Sequence, residues 1–152
     1  MIHRFTVSLH QVGPGEHTGD ARGDHLDWFF AVDPETDAPL VTWSTPIAWP
    51  AVGGQPAQRL PDHRTRYLDY DGEISGDRGR VQRLVVGTYR LLENDAETMA
   101  IAVESIAEVP SASAYFAKLA AGLSESLRRV GRIDFPSASA ENGFLITRQE
   151  ES

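Results

Sequence analysis

Asp24-His25-Leu26-Asp27-Trp28-Phe29-Phe30-Ala31-Val32 is the stretch whose reading decides the fold. Aromatic and β-branched side chains fit a pleated, half-buried surface, so it is expected to be a β-strand. Successive side chains of a strand point to opposite faces. Leu26, Trp28, Phe30 and Val32 share one face, expected to be core. His25 and Asp27 share the other, about 7 Å apart along the strand. An imidazole and a carboxylate on one face can converge on a single cation, given a third ligand from elsewhere. The alternative is that both are solvated polar groups on an exposed face.

Working outward, Arg4 to His10 alternates with Phe5, Val7 and Leu9 inward and Thr6, Ser8 and His10 on the other face. Residues 11–24 are rich in Gly, Asp and Pro and read as a loop. Leu40 to Trp43 should pair back on 25–32 as a hairpin, turning at Asp33-Pro34. Ser44 to Gln58 holds three prolines and Gly53-Gly54 and is expected to be irregular. Further strands are expected at 66–70, at 80–86 and 88–92 split by Gly87, at 98–104, and at 143–148. Ala114 to Val130 carries Phe116, Leu119, Leu123, Leu127 and Val130 at helical spacing, with a serine at 111 or 113 to cap it and Gly131 beyond its end. Short strands, irregular loops and one late helix predict a mainly-β fold, a small β-barrel formed as a single domain over 1–148, with a polar tail at 149–152.

The chain has 152 residues, is 41% hydrophobic and 24% charged, and contains no cysteine. Disulfides, thiolate metal sites and a cysteine nucleophile are thereby excluded. No apolar run approaches the roughly 20 residues that span a bilayer, and the start lacks an apolar signal core, so no membrane association and a cytoplasmic location are expected. The net charge of −8 opposes strong non-specific binding to nucleic acid. Yet residues 59–90 hold seven arginines against five acids. Arginine suits bidentate phosphate contact; pairing with the interleaved acids is the competing use.

Four pieces of the chain resemble the 3′-phosphoesterase module of bacterial DNA ligase D and its free-standing relatives. They are Arg4-Phe5-Thr6-Val7-Ser8-Leu9-His10, His25-Leu26-Asp27-Trp28-Phe29-Phe30, Thr42-Trp43-Ser44-Thr45-Pro46, and Asp62-His63 through Tyr67 to Asp71-Gly72. Gly79-Arg80-Val81, Gly87-Thr88-Tyr89 and Phe144-Leu145-Ile146 resemble later strands of that family. The resemblance implies a divalent metal, manganese or another such as zinc, held by His10, His25 and Asp27. It implies catalytic roles for His63 and Tyr67, and for Arg59 as a phosphate contact. The implied activity is removal of a 3′-phosphate or ribonucleotide from nucleic-acid ends in DNA repair, with ligase or polymerase partners acting in trans.

Departures from the family pattern fall on the phosphate clamp. The family arginine two residues after the metal-binding aspartate is Phe29 here, and a family lysine is Ile47. They motivate a second expectation, a catalytically degenerate relative serving as a nucleic-acid or protein interaction domain. A third is a ferrous-iron oxygenase, with His25, Asp27 and His63 as its ligands.

Overall fold

The structure, a computed structural model, describes residues 2–12, 23–33, 35, 37–47, 53–74, 78–95, 98–135 and 143–148. They form nine strands and one α-helix: β1 (Ile2–Gln11), β2 (His25–Phe30), β3 (Leu40–Thr45), β4 (Gly53–His63), β5 (Gly72–Glu73), β6 (Arg80–Asn94), β7 (Met99–Glu108), α1 (Ala114–Arg128), β8 (Arg132–Phe135) and β9 (Gly143–Arg148). Neighbouring strands run in the order β1-β2-β3-β4-β9-β8-β7-β6-β5, and β1 also pairs with β6. The sheet therefore curls until its pairing circuit closes, giving the expected small mainly-β barrel with one helix.

One face of β1, β2, β3, β6, β7 and β8 supplies most of the main core. Phe5, Val7 and Leu9 of β1 lie with Leu26, Trp28 and Phe30 of β2, Trp43 of β3, Tyr89 of β6, Ile101 of β7 and Phe135 of β8. Phe135 stands at the centre of the aromatic packing, its ring 5.3 Å from those of both Phe30 and Trp43. Burying large apolar side chains is the dominant favourable term, about 1.5–3 kcal/mol for each one. The helix follows its predicted stripe: Ala120, Leu123 and Leu127, with Val130 just beyond, join the same core. Its start is capped as expected, the Phe116 N–H donating to Ser113 Oγ at 3.3 Å.

Three sequence expectations are corrected, and one strand is added. Residues 53–63, most of them assigned to an irregular surface segment, form the eleven-residue strand β4. Among the described residues, Gly53 to Ala57 pair with β9 alone, and Gln58 to His63 with β3 alone. Each half thus has one unpaired side, the edge-like condition in which Pro56 and Pro61 are tolerated. Residues 66–70 are not a strand. Thr65–Leu68 is a 3₁₀ turn, with the Tyr67 N–H donating to Arg64 O and the Asp69 N–H to Arg66 O. Gly87 does not split β6, which runs unbroken over fifteen residues. A Cβ at Gly87 would lie 2.1 Å from Ser105 O and 2.8 Å from Phe5 Cε1, so the glycine lets β7 and Phe5 approach closely. Finally, β8 was not anticipated. His17, Gly13-Pro14-Gly15, Pro34, Trp49, Ser75 to Asp77 and the tail at 149–152 lie outside the described residues. No helix among the described residues is long and apolar enough to cross a membrane.

Candidate metal centre

β1 and β2 are antiparallel, with His10 opposite His25 and Ser8 opposite Asp27. This register brings the three polar side chains together on the face of the sheet away from the main core. That face is not solvated. All six residues of β2 are buried, and His10, His25 and Asp27 are 8%, 2% and 2% exposed. The 3₁₀ turn covers part of the face, with Thr6 Oγ1 donating to Leu68 O at 2.8 Å. Phe29, Leu40 and Leu68 form a small second apolar cluster there.

Among the described residues, His10, His25 and Asp27 form a group whose ligand atoms lie within 4.8 Å of one another. His10 Nδ1 is 3.1 Å from Asp27 Oδ2, and His25 Nε2 is 3.0 Å from Asp27 Oδ1. The outer nitrogen of each ring meets a backbone carbonyl. His10 Nε2 is 2.7 Å from Arg78 O, and His25 Nδ1 is 2.7 Å from Gly23 O. A carbonyl can only accept, so each outer nitrogen carries a proton. In the neutral rings, the inner nitrogens then present lone pairs to a carboxylate. Such an arrangement is repulsive until a cation, a proton or a metal ion, enters it.

Two further details point the same way. His25 Nε2 and Asp27 Oδ1, although close, make no hydrogen bond with each other or with any other described residue. Buried polar atoms are nearly always satisfied, so this pair requires an explanation. Carbonyl acceptors on the outer nitrogens of metal-binding histidines are also the usual way that tautomer and ring orientation are set. When both rings are protonated the anion is favoured: burial by itself raises the Asp27 carboxyl, but the His10 hydrogen bond and the charges of His25 and His10 outweigh it and hold the pKa at about 2. Two imidazoles and one carboxylate suit manganese, iron or zinc, and leave coordination positions open.

Of the remaining predicted residues, His63 and Tyr67 gather elsewhere on the same face, whereas Arg59 pairs with Trp43 and so takes the core side of the sheet. The Phe29 ring is stacked on Tyr67, with centroids 5.6 Å apart, and lies 5.4 Å from the His63 ring. Phe29 follows Asp27 by two residues, so its ring stands between the His-His-Asp group and the His63–Tyr67 pair. His63 Nδ1 donates to Pro61 O at 2.8 Å. Arg59 and His63 belong to one strand, β4. The Arg59 guanidinium donates to Thr42 O, Leu60 O and Asp62 Oδ1, and lies over the Trp43 ring. The group of three thus forms without His63, Tyr67 or Arg59.

Sequence reasoning missed Ser8, Gly23 and Gly79. Ser8 lies opposite Asp27, and its buried Oγ has no hydrogen-bond partner among the described residues. The alternation of β1 already placed it on the His10 face. Gly23, at φ 69°, sets the carbonyl that orients His25. A scan against protein-family models finds no match to this chain, and a search of curated proteins finds none either.

Proposed function

We propose that this chain is a divalent-metal-dependent phosphoesterase-type domain acting on the 3′ ends of nucleic acid, removing a 3′-phosphate or ribonucleotide. The observation that carries the metal half of this reading is the convergence of His10, His25 and Asp27 with both outer ring nitrogens tied to carbonyls. The substrate half rests on the order of motifs that resemble the ligase D phosphoesterase module. Manganese is the first candidate ion, followed by zinc. When bound, such an ion polarises a phosphoryl oxygen as a Lewis acid and holds the ester in place. His63 and Tyr67 are then the candidates for contacting the phosphate or moving a proton. Arg59 is the weaker candidate for phosphate binding, because Asp62 and two carbonyls already engage its guanidinium. Repair partners acting in trans and a cytoplasmic location belong to the same proposal.

A second reading is favoured by Phe29. Its ring packs against Tyr67 and His63, at the position where the resemblance to the ligase D module implies a phosphate-binding arginine. A preorganised donor to charge developing in a transition state is worth about 3–4 kcal/mol where one has been removed. A chain without that contact fits a binding domain that keeps the metal site and has lost turnover. Manganese titration of the wild type and His25→Ala, followed by phosphate release from a 3′-phosphate primer–template, separates the two. Binding with release supports the enzyme. Binding without release supports the interaction domain. Absence of binding to the wild type refutes both forms of the metal reading.

A further inference from the structure

Gly79 lies where the chain enters β6, next to the end of β1. Its φ is +90°, a region that side chains other than glycine rarely adopt. The crowding is equally restrictive: a Cβ at Gly79 would lie 1.9 Å from Gln11 O and 2.8 Å from Val12 Cα. These are backbone atoms, so no side-chain rotation relieves the clash. The Gly79 carbonyl accepts from the Ile74 N–H at 2.8 Å. One residue on, Arg80 pairs with Gln11 and Val81 with His10. Gly79 is thus pressed against the residue that follows His10. The residue before it, Arg78, supplies the carbonyl 2.7 Å from His10 Nε2.

We infer that Gly79 is a positioning residue for the metal centre, an inference that rests on the metal reading above. By allowing the chain to touch the end of β1, it holds the Arg78 carbonyl on His10 Nε2. That contact selects the Nε2–H tautomer and leaves Nδ1 facing Asp27 Oδ2, 3.1 Å away. His10 therefore offers Nδ1 to a metal, whereas His25, whose Nδ1 is tied to Gly23 O, offers Nε2. The two histidines ligate through different nitrogens, and Gly79 decides this for His10. A side chain at position 79 displaces residues 78–79 from β1 and releases the ring.

The test has two arms. The first uses metal-free wild type, with ¹⁵N–¹H correlation spectra of the imidazoles recorded above the pH at which His10 becomes neutral. A protonated Nε2 and bare Nδ1 on His10 are expected. The opposite tautomer overturns the inference without touching the question of whether metal binds. The second arm compares Gly79→Ala with Gly87→Ala by manganese titration. Gly87 is as crowded, its Cβ meeting Ser105 O at 2.1 Å, but it lies remote from the trio, opposite Phe5. Gly79→Ala is expected to weaken binding by about 10–100-fold, the usual cost of losing an outer-shell partner, and to lose the His10 tautomer preference. Gly87→Ala is expected to lower stability and keep both. A folded Gly79→Ala with wild-type affinity and tautomer refutes the assignment. If Gly79→Ala does not fold, the wild-type spectrum decides.

Discussion

Asp27→Asn tests the electrostatics of the centre without changing its shape. In metal-free protein the Asp27 carboxyl is held at about 2, against an ordinary value of 3.8. A folded-state pKa below the unfolded one contributes stability that is present above the unfolded value and lost as pH falls through the folded one. The window is therefore roughly pH 4 down to pH 2. A shift of nearly two units at about 1.4 kcal/mol per unit corresponds to about 2 kcal/mol. Asp27 is 2% exposed, so solvent screening does not reduce this much. The asparagine variant has no carboxyl at this position to titrate. Its stability at neutral pH can lie above or below that of the wild type, since removing a buried anion also removes its desolvation cost. The difference in pH slope does not depend on that offset. Urea unfolding of both metal-free proteins from pH 7 to pH 2 is the assay. The wild type should lose about 2 kcal/mol more than the variant, or about 1 M in midpoint at an ordinary urea slope for a small domain. Parallel curves between pH 4 and pH 2 would show that His10 and His25 do not hold the carboxylate as argued.

Three other outcomes are expected. Manganese at 100 times its dissociation constant should raise wild-type stability by about 2.7 kcal/mol and leave His10→Ala unchanged, measured by thermal shift or urea. Tyr89→Phe removes the hydroxyl that donates to Ala31 O at 2.8 Å and should cost about 1 kcal/mol. Burial raises the Tyr89 phenol above its ordinary value of 10.0, so wild-type stability falls as pH rises beyond about 10, where the unfolded chain ionises; that contribution should vanish in Tyr89→Phe. Ser113→Ala deletes the cap of α1 and should cost about 1 kcal/mol in chemical denaturation.

Local patterns already carry much of this architecture. Alternation in β1 and β2, the helical stripe from Phe116 to Val130, and the strand at 143–148 are legible because periodicity reports which side of an element is buried. Elements that break local rules were not. The prolines and glycines of β4 argue against a strand until two different partners are seen to pair with its two halves. Residues 66–70 read as a short strand, but a 3₁₀ turn places Leu68 in the second apolar cluster and its carbonyl on Thr6. For the site, His25-x-Asp27 could be picked out from spacing, but whether it lay in water or under cover could not.

By itself the sequence determined a mainly-β chain with one helix, free of cysteine, bearing a histidine and an aspartate on one face of its second strand. The period of two settles faces, and composition settles which chemistries are excluded. The tertiary structure decided the rest. Pairing of β1 with β2 set the register that puts His10 beside His25 and within reach of Asp27, seventeen residues further along the chain. Packing of the 3₁₀ turn and of the Arg78–Gly79 backbone then covered a face that alternation marks as polar. Burial, tautomer and the low Asp27 pKa follow from those long-range contacts, which no local pattern encodes.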